Sequence, residues 1–271
     1  MLNNQINKVI LVVIDGLSYE MKRYMGYLEA LCYEKKSSCY RVKSGYPSLS
    51  RPLYEEILTG VSPIESGIVN NEIKRKSKEE SIFSLAIKNG KTTGAAAYYW
   101  IEELYNSGGF DPIAAMEVEN IDGNINYGRF YWEDNYPDSH VFAQGEIIRK
   151  RYNSDFLLIH SMNVDYAGHK FGGNSKEYIY SAMKVSDIIS KYMPTWIEEG
   201  YQIIVTADHG MNENGLHGGT DSVESEVPMW IVGDIVMESG LEETVSQRKI
   251  APLCCKGLGI ERSKRMVSLD E

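Results

Sequence analysis

Three of the five histidines in this 271-residue chain stand beside aspartates and glycines: in Asp165-Tyr166-Ala167-Gly168-His169, in Asp208-His209-Gly210, and at His217, flanked by Gly215, Gly218 and Gly219. A further aspartate, Asp15, directly follows the apolar run Val9-Ile10-Leu11-Val12-Val13-Ile14. Carboxylate oxygen with imidazole nitrogen is the ligand mix of zinc or a similar divalent ion. Asp165 and His169, four apart with a glycine between them, can turn toward one cation. Each piece also has an ordinary reading. An acid at a strand end is commonly a cap or turn residue, Asp208-His209-Gly210 is a turn, His169 a helix cap and His217 a surface residue. The metal reading is favoured because all these groups follow strand ends of one predicted sheet. His140 and His160 lack such company and read as structural. A nucleophile is also available. Ser50, in Tyr46-Pro47-Ser48-Leu49-Ser50-Arg51-Pro52, opens a predicted helix with Pro52 in its first turn and Gly60 at its end. Taken alone such a serine is an N-cap, yet the helix dipole and free N–H groups there would also stabilise an alkoxide and an approaching phosphate.

The elements that must position these groups alternate between short β-branched runs and amphipathic stretches, the pattern of a mostly parallel sheet with helices on both faces. Strands are predicted at 8–14, 38–44, 91–98, 155–160, 202–206 and 228–232. Helices are predicted at 18–33, from 50 to Gly60, 77–89, 139–152, 175–198 with a bend at Pro194, and 244–257. Between 106 and 138 periodicity fails and Gly, Asn, Asp and aromatic residues dominate, so a functional loop insertion or small cap is expected there. The strands ending near 14, 160 and 206 each lead into metal-competent residues. In open α/β sheets, sites lie outside the carboxyl ends of strands.

Composition bounds the rest. The chain is 43% hydrophobic and 24% charged, which excludes disordered and fibrous architectures. Its length suits a single domain over 1–271. No apolar run approaches the roughly 18 residues of a membrane span, so a soluble protein without a membrane partner is expected. The first apolar run is cut short by Asp15, unlike a secretion signal. A net charge of −10, from 38 acids against 28 bases, argues against a nucleic-acid polymer or an anionic membrane as partner. Cys32, Cys39, Cys254 and Cys255 are too few for a disulfide framework, and reduced thiols in a cytoplasmic protein are expected.

Taken together, these segments resemble the alkaline phosphatase superfamily, and within it the type I phosphodiesterase/nucleotide pyrophosphatase family. The resemblance runs through Val13-Ile14-Asp15-Gly16, Pro47-Ser48-Leu49-Ser50-Arg51-Pro52, the stretch Leu58-Thr59-Gly60…Pro63…Glu65-Ser66-Gly67-Ile68…Asn71, then Asp165–His169, Asp208–Met211 and His217–Gly219. It spans residues 9 to 233. It implies a three-layer α/β/α sandwich with a mostly parallel central sheet, and two divalent ions, zinc first and manganese as the alternative. Asp165, His169 and His217 would hold one ion; Asp15, Ser50, Asp208 and His209 the other. Ser50 would be the nucleophile, and Asn71, twenty-one residues later, the phosphate-binding amide. The implied substrate is a small phosphodiester or nucleotide-type pyrophosphate. Alternatives are a phosphomonoesterase, phosphonate hydrolase or phosphomutase on the same metal core, or an inactive metal-binding domain. A sulfatase is disfavoured because no Cys/Ser-x-Pro-x-Arg signature surrounds residue 50. The chain departs from the family pattern in carrying Ser50 where threonine is commoner, Leu53-Tyr54 where Asn-His is usual, and a shorter, tyrosine-rich segment between Asn71 and Asp165. Two features keep two readings each. Tyr98, Tyr99 and Trp100 are either core or a substrate-stacking slot. Arg51 and the run Lys74-Arg75-Lys76…Lys78 are either solvated surface or a cation for an anionic substrate.

Overall fold

Two six-residue strands, buried along their whole length, form the middle of a nine-stranded sheet in the computed structural model, which describes residues 7–119, 121–235, 237 and 244–269. The strands are β1 Val9–Ile14, β2 Ser38–Lys43, β3 Thr93–Tyr98, β4 Glu117–Val118, β5 Tyr127–Tyr131, β6 Phe156–Ser161, β7 Gln202–Thr206, β8 Glu226–Val232 and β9 Thr244–Ser246. Their spatial order is β4-β5-β3-β6-β1-β7-β8-β2-β9. From β5 to β7 neighbours pair in parallel, whereas β8 runs against both of its neighbours and β4 against β5. Continuous burial along β1, β6 and β7 is what a parallel sheet covered on both faces requires.

The covering comes from two groups of helices: α1 Gly26–Tyr33, α2 Ser50–Thr59, α3 Ile82–Lys88, α4 Asp138–Tyr152, α5 Asn163–Phe171, α6 Lys176–Glu198 and α7 Ile250–Leu258. On one side α1, α4 and α5 all pack on the long α6; on the other, α2, α3 and α7 pack on one another. The result is a mixed α/β sandwich of three layers with a large, mostly parallel central sheet. Pro194 lies inside α6, which covers the predicted range almost to the residue. None of the described helices is long and apolar enough to cross a membrane.

Four expectations about elements are corrected. The helix expected at 18–33 is two pieces, a 3₁₀ turn Tyr19–Tyr24 and α1, separated at Met25, whose ψ of 56° is not helical. The periodicity survived the break because Met21, Met25, Leu28 and Leu31 all face the core. The helix expected from 77 starts at Ile82, where the Ser81 hydroxyl caps it by accepting from the Ser84 N–H at 3.2 Å. Residues 244–246 pair beside β2 as an edge strand, and Ser246 then caps the turn that leads into α7. Finally, the segment 106–138 adds β4 and β5 to the sheet edge. β5 was hidden because a five-residue strand leaves too little alternation to read among aromatic and glycine neighbours.

Candidate active site

The carboxyl ends of β1, β6 and β7 and the amino end of α2 converge on one buried nest. Asp15 follows β1 directly; Asp208 and His209 follow β7. Asp165 and His169 lie on α5, at its first and last turns, so their i,i+4 spacing puts both on one helix face rather than in a glycine-bearing loop. Gly16 makes the convergence sterically feasible. Its φ is +73°, and a Cβ there would lie 2.7 Å from Asp165 Cα. Its N–H instead donates to Asp208 Oδ1 at 3.1 Å.

All three predicted histidine ligands are turned the same way. Each Nδ1 faces a backbone carbonyl: His169 that of Gly215 at 2.8 Å, His209 that of Gly210 at 2.9 Å, His217 that of Ser48 at 2.7 Å. A carbonyl only accepts, so each Nδ1 carries the proton and each Nε2 presents a bare lone pair, the tautomer of a metal ligand. His209 Nε2 stands 3.4 Å from Asp15 Oδ1, 3.3 Å from Asp208 Oδ2 and 3.0 Å from Ser50 Oγ. His169 Nε2 and His217 Nε2 face each other at 3.2 Å, with Asp165 Oδ2 3.4 Å from the former and Asp165 Oδ1 4.0 Å from the latter. Asp15 Oδ1, Asp165 Oδ1 and Asp208 Oδ2 are buried without a hydrogen-bond partner. Lone pairs facing lone pairs, with orphaned carboxylate oxygens around them, are stable only if positive charge sits between them.

The electrostatics agree. Burial first, and then the charges of neighbouring aspartates, push Asp165 and Asp208 well above the usual carboxylate range. Burial also pulls His217 down to about 3, helped by His209, and lowers His209, so both imidazoles are neutral near pH 7. Asp15 is held at about 2; burial opposes this, but His160, His209 and Tyr54 together outweigh it. Two candidate ligand groups follow, Asp15-Asp208-His209 and Asp165-His209-His217. His169 and Ser50 border them.

Ser50 is the first residue of α2, and Leu49 holds the cap position. Its hydroxyl therefore does not cap the helix but points at His209, which decides against the N-cap reading. Asn71 is anchored beside it: Asn71 Oδ1 accepts the Arg51 N–H at 3.0 Å. That N–H needs an acceptor, so the amide's NH₂ is the end left over.

Arg51 is buried, pairs with Glu103 at 2.6 Å and lies 4.5 Å from the Trp100 ring centre. In the basic run, Arg75 donates to the Ser66 carbonyl at 2.7 Å. The stacking reading fails for Tyr98, which is buried with its hydroxyl donating to Asp134 Oδ1 at 2.9 Å. Tyr99 and Trp100 are half-buried, Tyr99 against Phe110.

Two residues at the site escaped the sequence reading. Tyr54 donates to Asp15 Oδ2, and His160 Nε2 lies 3.3 Å from the same oxygen. Tyr54 was findable, since it sits one helical turn after Ser50. His160 was not: only the β1–β6 register, which pairs it with Val13, brings it near Asp15.

A family model described as type I phosphodiesterase / nucleotide pyrophosphatase matches residues 9–256. Among curated relatives, the catalytic subunit of human GPI ethanolamine phosphate transferase 2 is 21% identical over 238 residues, covering 83% of this chain and 23% of that protein. The chain thus spans about a quarter of that relative's length. Murine ectonucleotide pyrophosphatase / phosphodiesterase 5 superposes with a TM-score of 0.74 at 12% identity, covering 96% of this chain and 97% of that one. Alkaline phosphatase from the Antarctic bacterium TAB5 does so with a TM-score of 0.61 at 14% identity, covering 94% and 99%. At these identities the structural likeness speaks for the fold alone.

Proposed function

The chain belongs to the type I phosphodiesterase / nucleotide pyrophosphatase family, and from that premise we propose that it cleaves a small phosphodiester or nucleotide-type pyrophosphate through a phosphoseryl intermediate on Ser50. The observation that carries this reading is the Ser50 hydroxyl at a helix amino end, 3.0 Å from His209 Nε2, which itself stands within 3.4 Å of the orphaned oxygens of Asp15 and Asp208. The proposed ion holders are Asp15, Ser50, Asp208 and His209 for one site and Asp165, His169 and His217 for the other. Two divalent ions bound there, zinc before manganese, would lower the serine hydroxyl's pKa and neutralise the departing oxygen.

The residues then do the following. Ser50 Oγ gives up its proton to solvent and attacks phosphorus in line; the Oγ–P bond forms as the bond to the leaving oxygen breaks, and that oxygen departs as the anion or takes up a proton from solvent. The Asn71 NH₂ donates to a non-bridging oxygen as charge grows there. The α2 dipole favours the same anion. An acceptor O–H next attacks the phosphoseryl group from the opposite side; the new O–P bond forms as the P–Oγ bond breaks, and the proton released by the acceptor balances the one Ser50 regains. Diesters fit better than monoesters, because the donor beside the nucleophile is a neutral amide and the nearest guanidinium, Arg51, is already paired with Glu103. Tyr99 and Trp100 remain the candidate rings for the substrate's organic arm. The proposed compartment is the cytoplasm.

A second reading concerns the acceptor. Relatives matching more than four-fifths of this chain are named ethanolamine phosphate transferases, which favours an alcohol in place of water in the second half-reaction. One experiment serves both. Acid quenching during turnover of bis-p-nitrophenyl phosphate should leave p-nitrophenyl phosphate esterified to Ser50, identified by peptide mass. Adding ethanolamine or another small alcohol then separates the readings: a phosphodiester product marks a transferase, and p-nitrophenyl phosphate alone marks a hydrolase. No adduct on Ser50 in active protein would overturn the proposal.

A further inference from the structure

We infer that Tyr54 and His160 form a buried clamp that pins one oxygen of Asp15 so that the other is presented to a cation, making both positioning residues of the candidate centre. The inference rests on the metal-dependent reading above.

The two oxygens of Asp15 have different fates. Oδ2 accepts the Tyr54 hydroxyl, and His160 Nε2 stands 3.3 Å away. Oδ1 has no hydrogen-bond partner and faces His209 Nε2 at 3.4 Å. A free carboxylate rotates and offers either oxygen, or both; one that accepts the Tyr54 hydroxyl and is flanked by His160 on the same side offers the other, in one direction. Tyr54 and His160 are themselves immobilised. The Tyr54 ring meets His160 edge-on, 4.7 Å between centroids at 75°, and Trp100 packs behind it at 6.1 Å. Tyr98 touches Trp100 at 5.2 Å and Tyr131 at 5.5 Å. Tyr131 closes the ring of contacts by donating to the His160 carbonyl at 2.9 Å. The aromatic cluster thus backs a ligand, which accounts for the burial of Tyr98.

The clamp also couples two parts of the site. Tyr54 is four residues after Ser50 on α2, hence on the same helix face. The helix that aims the hydroxyl at His209 therefore also aims Asp15. A mere filler at residue 54 would need no hydroxyl, and a valine in place of His160 would pack a buried strand at least as well.

The test is Zn²⁺ binding to the full, metal-stripped chain, measured by competition with a chromophoric chelator. Wild type should take up two ions. Tyr54→Phe keeps the ring and removes the donor; it should weaken one site about 10–100-fold and leave the other within about twofold, since Asp15 groups with Asp208 and His209 only. His160→Ala should weaken the same site, and it serves if the tyrosine variant does not fold. Tyr98→Phe should change neither. Binding of both ions at wild-type affinity by Tyr54→Phe and His160→Ala overturns the clamp alone. Equal weakening of both sites also overturns it, because that marks a general structural defect. No Zn²⁺ uptake by wild type brings down the metal reading, and the clamp with it.

Discussion

Side chains at this site are distinguished by where their second polar atom goes. Three imidazoles give Nδ1 to the backbone and keep Nε2 free; Asn71 gives Oδ1 to Arg51 and keeps its NH₂ free. That division assigns roles within one chemical type, and it yields tests. Ser50→Ala should abolish turnover by several orders of magnitude while sparing most metal binding, because the other ligands stay. Ser48→Ala should remain active, since Ser48 Oγ already donates to the Gly219 carbonyl at 2.9 Å. The reverse pattern in steady-state kinetics would move the nucleophile by two residues. Asn71→Ala should lower kcat about 10²–10³-fold, as for one oxyanion donor, with a smaller change in KM. An unchanged kcat would leave Asn71 as a turn residue.

At the scale of the element, α2 concentrates more function than its ten residues suggest. Every one of them is buried. Its far side carries Glu55 and Glu56, each pushed up to about 7 by burial against the pull of its hydrogen bonds. A folded-state pKa above the unfolded 4.5 means that the folded chain holds the proton more tightly. The contribution of these two groups to stability is therefore greatest below about pH 4.5, falls as pH rises toward 7, and levels off above. Each group costs up to about 3 kcal/mol at the plateau. Glu56→Gln keeps an acceptor for the Gly45 N–H, which Glu56 Oε1 now takes at 2.8 Å. Urea unfolding at pH 5 and pH 8, at one metal load, should show a smaller loss of stability in the variant than in wild type. Parallel losses would mean that Glu56 ionises freely.

Across the whole molecule, the parallel core brings three strand ends together, and the two helix layers shield them from water. On the metal reading, holding three aspartates in that setting makes the native state gain stability from cations. Zn²⁺ at about a hundred times its dissociation constant should stabilise the fold by roughly 3 kcal/mol, visible as a rise in Tm. Asp208→Asn should lose much of that rise, and a chelator should abolish both the rise and turnover. A chelated protein with full activity would refute the metal reading. Substrate choice belongs to the same scale, because it depends on charges beyond the nest. With Arg51 matched to Glu103, kcat/KM should favour bis-p-nitrophenyl phosphate over p-nitrophenyl phosphate. A tenfold preference for the monoester, about 1.4 kcal/mol, would return the case to a monoesterase.

Much of this protein was legible in its residue order. Strands β1, β6 and β7, the residues that follow them, and Ser50 at the head of α2 all announce themselves locally: apolar runs, a proline in a first turn, aspartate and histidine at short spacing. The fold class followed from that alternation, and the family from the motifs it placed. What residue order could not carry is anything set by pairing between distant segments. Strand β5 is too short to show a period among its aromatic and glycine neighbours and forms because β3 is there to receive it. Asp165 and His169 read as a loop, and packing made their segment a helix. Tyr98 kept two readings, core or substrate slot, until β5 and the Asp134 hydrogen bond decided for the core. His160 read as ordinary core; only the register of β6 on β1 puts it beside Asp15. Local chemistry specifies elements and candidate ligands, but which oxygen of Asp15 is free depends on the Tyr54 hydroxyl and on His160, brought in from other parts of the chain, and tertiary structure alone decides that.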